Sequence, residues 1–290
     1  MIPVLGAALV VGVGAAWRAL SGRRVERTYR ARHPANAQGI VIGAESFTLD
    51  GTNGRALLLL HGSGDTPQTL HYLAERLNAA GYTVHAPLLP GHGRSPRAFT
   101  RVSAVGYLDA AHQALESLRT RAPWVGVVGL SMGGAIATQL VATSPEARVL
   151  VLLAPYLTPP GSVRWAAWLS PLWGLLQPQL GGRGERSVHD PSARDASHAY
   201  GTFPPQALRA LIDTAAAGRA ALAHVTVPTL VVNSRQDNRI PMALAETATT
   251  TMRAPVERHW VDGCGHVITV DYCRDAVAGL TLDFLARHAD

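Results

Sequence analysis

The sequence predicts a protein of the α/β class, with a mostly parallel sheet that is flanked by helices. The alternation of two kinds of segment along the chain predicts this class. Short apolar runs, such as residues 56–60 (ALLLL), alternate along the chain with longer amphipathic stretches, such as residues 103–119. Runs of this kind are typical of strands buried on both faces, which need helical crossovers between them. With 290 residues, the chain can form one large domain with an insertion.

The expected elements follow one another in short alternation. Strands are expected at residues 56–60, 82–86, 125–129, 149–153, 229–233 and 257–261, and helices at residues 68–80, 103–119 and 132–142. The alternation breaks between about residues 155 and 225, a region that contains Trp165, Trp168 and Trp173. We interpret this region as a cap inserted after the sixth strand, over the edge of the sheet where ligands bind. The three tryptophans are expected to pack in the core of the cap, with acyl-chain binding as the alternative.

The N-terminal segment predicts an apolar helix. Residues 2–17 carry no charge, Trp17 stands where an interfacial aromatic residue would lie, and a cluster of arginines follows. We therefore expect a membrane anchor at residues 1–22, a basic linker at residues 23–46 and a catalytic domain at residues 47–290. The arginines would place the catalytic body in the cytoplasm. A buried helix, an uncleaved signal and a cytoplasmic protein without an anchor are the alternatives.

Charge and cysteine content exclude several function classes. The net charge is +6, but residues 1–40 contain six arginines and one glutamate, so the remaining chain is almost neutral. No basic stripe with interleaved aromatic residues is present, so no nucleic-acid partner is expected. Cys264 and Cys273 fit neither a CxxC motif nor zinc-ligand spacing, and we expect reduced, structural thiols. No metal site and no cofactor are predicted.

A G-x-S-x-G motif at residues 129–133 predicts a nucleophilic serine. The motif follows an expected strand and begins an expected helix, which is the setting that this chemistry requires. Ser131 would lie on a strained turn, and Gly129 and Gly133 would remove side chains that clash with neighbouring backbone. A serine hydroxyl needs a base at neutral pH. Taken alone, a serine after a strand is more often a helix cap, so the motif needs partners.

The partners are expected after later strands, in the order acid and then histidine. Asp237 follows the strand at 229–233, and His266 follows the strand at 257–261. Asp262 is the alternative acid, although it lies on the same loop as the histidine. Each of these residues has an ordinary interpretation as a helix cap or a loop residue. Their coincidence in the required order favours a Ser-Asp-His triad.

Two backbone N–H groups are expected to form an oxyanion hole. One belongs to Met132, the residue after the nucleophile, and the other to Ser63, in the loop after the strand at 56–60. Each such donor is typically worth about 3 kcal/mol in the transition state. His61 and Gly62 precede Ser63 in this loop, and His61 is expected to position the loop rather than to transfer protons.

With these residues identified, the chain resembles the serine α/β-hydrolases that include bacterial carboxylesterases and monoacylglycerol lipases. The resemblance spans about residues 55–285 and is carried by LLLLHGSGDTPQTLHYLAERLNAAGYTVHAPLLPGHGRS, VGVVGLSMGGAIA and CGHVITVD. It implies the α/β-hydrolase fold and cofactor-free hydrolysis of esters with medium or short acyl chains, such as acylglycerols, through an acyl-enzyme. It also supports the triad and the oxyanion hole. An acyltransferase, a thioesterase and a non-catalytic binding protein on the same fold are the alternatives. Many relatives carry a bulky apolar residue where Ser63 stands, which alters the expected acyl pocket.

Overall fold

A computed structural model gives the fold of residues 2–181 and 187–288, with the side chains of residues 2–13 and 15 outside this description. The strands are β1 (Phe47–Leu49), β2 (Arg55–Leu60), β3 (Thr83–Ala86), β4 (Trp124–Leu130), β5 (Ala147–Leu153), β6 (Leu180–Gly181), β7 (Thr202–Phe203), β8 (Thr229–Ser234) and β9 (Val256–Val261). The α-helices are α1 (Ile2–Arg32), α2 (His71–Ala79), α3 (Ala104–Arg119), α4 (Met132–Thr143), α5 (Gly161–Trp168), α6 (Ser170–Leu176), α7 (Pro191–Asp195), α8 (Pro205–Ala221), α9 (Met242–Thr247) and α10 (Arg274–Arg287).

In the described part of the chain, seven strands form the main sheet in the order β1-β3-β2-β4-β5-β8-β9. All neighbours are parallel except β1, which pairs with β3 in the antiparallel sense. Both faces of the sheet are covered: α3, α4 and α8 pack on one face, and α2 and α10 pack on the other. The central strand β4 is therefore buried along its whole length, as its apolar sequence predicts. The α/β class and the mostly parallel sheet are confirmed.

The cap differs from the prediction in two respects. It follows β5, the fifth strand along the chain, rather than the sixth, and it comprises α5, α6, α7 and the two-stranded sheet of β6 and β7. The predicted range 155–225 also includes α8, which packs closely on α4 instead. A Cβ added to Gly218 of α8 would lie 2.7 Å from the carbonyl oxygen of Ala135, so glycine permits this close approach.

The cap tryptophans do not share one environment. Trp165 and Trp168 are 64% and 70% exposed and contact each other edge to face, with ring centroids 5.4 Å apart. Trp173 is partly buried, and its indole N–H donates to the carbonyl oxygen of Ala166 over 2.7 Å. The expectation of packing in the cap core is therefore wrong for Trp165 and Trp168. Their apolar sequence context could not distinguish an exposed helix face from a buried one.

The N-terminal helix extends further than predicted. Residues 23–32, expected as part of the linker, continue α1, because tertiary contacts hold this half of the helix on the body. Tyr29 is buried, its hydroxyl donates to the carbonyl oxygen of His198 over 2.8 Å, and its ring lies 5.0 Å from that of Tyr200.

The predicted anchor at residues 1–22 falls largely on residue 1 and on side chains that lie outside the described part. Among the residues that are described, no helix is both long and apolar enough to cross a membrane.

The two cysteines form a disulfide, so the prediction of reduced thiols is wrong. Cys264 and Cys273 are both buried, and their Cα atoms lie 5.7 Å apart. Cys264 lies in the loop after β9 and Cys273 directly before α10, so the loop returns to the start of the helix. A spacing of nine residues does not reveal this return, because it depends on how the loop packs. The disulfide closes a loop that contains His266.

Candidate active site

The turn between β4 and α4 presents Ser131 in a strained conformation. Its φ of 55° and ψ of −117° lie in a region that residues with a side chain rarely adopt. The turn is held from a neighbouring strand, because the Ser131 N–H donates to the carbonyl oxygen of Leu153 over 2.9 Å. A Cβ added to Gly133 would lie 2.0 Å from the carbonyl oxygen of Leu60, and one added to Gly129 would lie 2.3 Å from that of Gly133. Only glycine at both positions allows this tight turn against β2.

The structure brings the three predicted triad side chains together. Ser131 Oγ lies 2.7 Å from Nε2 of His266, and Nδ1 of His266 lies 2.8 Å from Oδ2 of Asp237. A carboxylate only accepts hydrogen bonds, so Nδ1 carries the proton toward Asp237 and Nε2 accepts from the serine hydroxyl. The histidine and aspartate side chains are 8% and 2% exposed. Little solvent therefore competes for this hydrogen-bonded chain.

Asp237 is anchored on its other oxygen as well. Oδ1 accepts from the backbone N–H of Arg239 over 2.7 Å and from that of Ile240 over 2.9 Å. Burial alone would raise the pKa of Asp237, but the adjacent His266 and the two backbone N–H groups outweigh it and lower the pKa. Asp237 is therefore a charged, fixed acceptor at neutral pH.

Asp262, the alternative acid, lies in a different environment. Its side chain is 66% exposed, and its carboxylate lies 3.6 Å from Nε of Arg235 and 3.3 Å from Nε2 of Gln236. These contacts are those of a surface ion pair. The hydrogen bond to His266 is made by Asp237.

The loop after β2 runs beside the nucleophile. A Cβ added to Gly62 would lie 3.3 Å from Cβ of Ser131 and 3.8 Å from its Oγ. Ser63 follows, and its hydroxyl oxygen is buried without a hydrogen-bond partner among the described residues. Met132 begins α4 directly after the nucleophile. The two backbone N–H groups expected in the oxyanion hole thus lie on the two chain segments that meet at Ser131.

Two buried imidazoles hold this loop in place. Nε2 of His61 accepts from the Leu89 N–H over 3.1 Å, and its Nδ1 lies 2.9 Å from the carbonyl oxygen of Gly62. His92 accepts from the Gly64 N–H over 2.9 Å in the same manner. Burial lowers the pKa of His61 well below its usual value and that of His92 to about 4. Both rings are therefore neutral and connect loops.

Sequence reasoning missed a buried acid next to the histidine loop, Asp271. Asp271 is fully buried and accepts hydrogen bonds from backbone N–H groups, one of which belongs to Gly265, the residue before His266. The only available signal was that this aspartate is the one carboxylate in the stretch CGHVITVD. Within the residues that the structure describes, no group of three or more His, Cys, Asp or Glu side chains is arranged to hold a metal ion.

Comparisons with known proteins identify relatives of this chain. A family model described as serine aminopeptidase S33 matches residues 52–272. The chain is 26% identical to a carboxylesterase of Bacillus subtilis (strain 168), over 85% of this chain and 98% of that protein. It is 28% identical to a thermostable monoacylglycerol lipase of Bacillus sp. (strain H-257), over 86% of this chain and 97% of that protein.

Solved structures show the same fold. A structure from the metagenome-derived lipolytic enzymes LipS and LipT superimposes with a TM-score of 0.79 and 26% identity, covering 86% of this chain and all of that one. The monoacylglycerol lipase of Paleococcus ferrophilus superimposes with a TM-score of 0.72 and 19% identity, over 84% of this chain and 98% of that one. Since the family model covers most of the sequence and the fold agrees, this chain belongs to the serine aminopeptidase S33 family of α/β-hydrolases.

Proposed function

We propose that the chain is a serine hydrolase that cleaves carboxylic esters through an acyl-enzyme. The observation that carries this proposal is the continuous hydrogen-bonded chain from Asp237 through His266 to Ser131. The strained turn and the adjacent N–H groups supply the second requirement of acyl transfer, which is a place for the oxyanion. The carboxylesterase and the monoacylglycerol lipase among the relatives support an ester as the substrate.

Each proton transfer has a defined donor and acceptor. As the Ser131 oxygen attacks the ester carbonyl carbon, Nε2 of His266 takes the hydroxyl proton, and the carbonyl π electrons move onto the oxygen. The backbone N–H groups of Ser63 and Met132 stabilise that oxyanion. When the carbonyl re-forms, the ester C–O bond breaks and His266 returns the proton to the departing alcohol. Water then repeats the sequence on the acyl-enzyme and releases the acid.

Asp237 makes this exchange favourable without gaining the proton. Its carboxylate fixes the tautomer of His266 that leaves Nε2 free to accept, and it stabilises the imidazolium that forms. Its lowered pKa keeps it charged throughout the neutral pH range. A carboxylate with a raised pKa would lose that role in mildly acidic solution.

The proposed substrates are small esters of the acylglycerol type. The test is hydrolysis of a monoacylglycerol by the full chain, with a triacylglycerol, an acyl-coenzyme A and an aminoacyl anilide as competing substrates. Release of glycerol and fatty acid supports the proposal. Preference for the thioester or the anilide would move the assignment to a thioesterase or a peptidase. Formation of monoacylglycerol from acyl-coenzyme A and added glycerol, with release of free coenzyme A, would indicate an acyltransferase.

Labelling with a fluorophosphonate separates catalysis from a binding role. Such a probe bonds covalently to a serine only when a base activates it. We expect one adduct per chain, located on Ser131. Absence of labelling in the folded protein would favour a non-catalytic binding protein.

Attachment to a membrane through residues 1–22, with the body in the cytoplasm, stays a prediction from the sequence. A disulfide is typical of proteins in oxidising compartments and speaks against that orientation. Protease protection of the catalytic body in right-side-out and inverted vesicles distinguishes the two sides.

A further inference from the structure

The loop that carries His266 is held on both sides of the histidine. The N–H of Gly265 donates to Oδ2 of Asp271 over 2.7 Å, and the N–H of Val267 donates to the carbonyl oxygen of Ser187 over 3.0 Å. Fixing both neighbouring peptide groups restricts the backbone from which the imidazole projects. These two contacts connect the histidine loop to different parts of the chain.

Asp271 is the central acceptor of this arrangement. Besides Gly265, its Oδ2 accepts from the N–H of His189 over 2.8 Å. Its Oδ1 accepts from the N–H groups of Asp190 and Tyr272, each over 2.9 Å. Burial raises the pKa of Asp271, but the four N–H groups outweigh it and lower the pKa. None of the ion pairs among the described residues involves Asp271, so backbone N–H groups alone balance this buried charge.

The carboxylate therefore joins three chain segments. Residues 187–190 belong to the region predicted as the cap, residues 264–267 form the histidine loop, and Tyr272 leads into α10. The first two segments are in close contact, since a Cβ added to Gly265 would lie 2.6 Å from the carbonyl oxygen of Ser187. No side chain fits between them. A change at Asp271 would be transmitted directly to the peptide group before His266.

We propose that Asp271 is a positioning residue for the proposed ester hydrolysis, on which this inference rests. By fixing the N–H of Gly265 against the cap segment, it keeps the His266 imidazole aligned with the nucleophile. Asp271 does not contact the reacting atoms. Its effect is geometric, and a misplacement of about 1 Å in a catalytic group can cost on the order of 100-fold in rate.

The test compares Asp271→Asn with a buried substitution elsewhere on the neighbouring helix. In the variant, the amide NH2 group replaces one carboxylate oxygen and faces two of the four N–H donors. Two of the four hydrogen bonds are therefore lost, while the volume of the side chain stays nearly the same. We expect kcat for a p-nitrophenyl ester to fall by about 10- to 100-fold, with KM within about 3-fold of the wild type. Fluorophosphonate labelling should slow in parallel. Phe284→Leu, in the buried face of α10, should lower the thermal midpoint and leave both rates within about 2-fold.

Two further measurements keep the inference testable. The low-field proton resonance of the His266–Asp237 hydrogen bond should shift or broaden in Asp271→Asn and stay unchanged in Phe284→Leu. Gly265→Ala separates the same segments without removing the carboxylate and should give the same loss in kcat. This second variant provides the test if Asp271→Asn folds poorly. Wild-type rates and an unchanged resonance in both loop variants would overturn the inference. If the wild type hydrolyses no ester, the proposed function fails, whereas labelling and the resonance still decide the role of Asp271.

Discussion

Replacing Cys264 and Cys273 together by alanine tests the disulfide through stability. The bond closes a loop with a sequence separation of 9 residues. The chain-entropy model gives about 2.6 kcal/mol of stabilisation at 25 °C for a loop of that length. For 290 residues, the entropy of unfolding is about 0.6 kcal/mol per kelvin, so the thermal midpoint should fall by about 4 °C.

The assay is thermal unfolding of the full chain, followed by circular dichroism with and without reductant. Alanine also removes two buried sulfur atoms, so the variant alone cannot isolate the bond. Reductant is the matched control: it should lower the midpoint of the wild type and leave that of the variant unchanged. Thiol titration of the wild type, denatured without reductant, should find no free thiol. Two free thiols, or a wild-type midpoint that is insensitive to reductant, would refute the reasoning.

Three other predictions follow from the site and its surroundings. Asp237→Asn should lower kcat by about 10³- to 10⁴-fold, because an amide cannot fix the imidazole tautomer. Asp262→Asn, at the surface, should change kcat by less than about 3-fold. If steady-state kinetics gave the reverse order, the two aspartates would exchange roles. Gly133→Ala places a methyl group 2.0 Å from a backbone oxygen, so it should lower the free energy of unfolding, measured by chemical denaturation, by about 3 kcal/mol or more. Gly279→Ala, on the open face of α10, should raise the free energy of unfolding by about 0.8–1 kcal/mol. Similar effects of the two substitutions would contradict the packing. Burial raises the pKa of Asp65 to about 7, so the stability from its neutral carboxyl is present below about pH 4 and is lost as the pH rises through about 7. The thermal midpoint of Asp65→Asn, relative to that of the wild type, should therefore rise as the pH increases from about 4 to about 7. A constant difference between the two midpoints from pH 4 to 8 would refute this.

Local sequence patterns predicted most of the strands and helices of the fold. The expected strands and helices of the body agree with the structure to within a few residues, because buried parallel strands read as short apolar runs and helices show their own period. The three side chains that meet in the candidate site were also accessible from sequence. Ser131, Asp237 and His266 each follow a strand, and the carboxyl ends of parallel strands converge at one edge of the sheet.

The features that sequence reasoning missed depend on contacts between distant segments. The disulfide forms because the loop after β9, which contains Cys264, folds back to Cys273 at the start of α10. Helix α1 continues past residue 22 because Tyr29 packs against the cap. The role of Asp271 depends on N–H groups that come from residues about 80 positions earlier. No periodicity or spacing encodes such contacts. The exposure of Trp165 and Trp168 was missed for the same reason.

Hydrolysis of p-nitrophenyl esters from acetate to palmitate, by the full chain and by Ser131→Ala, tests whether Ser131 is the nucleophile of an esterase. Ser131→Ala retains Cβ and removes the oxygen atom that lies 2.7 Å from Nε2 of His266. We expect that the wild type turns over at least the shorter esters and that kcat falls by about 10⁴-fold or more in the variant. Turnover that survives in Ser131→Ala, or a folded wild type that hydrolyses no ester and takes up no fluorophosphonate, would contradict it.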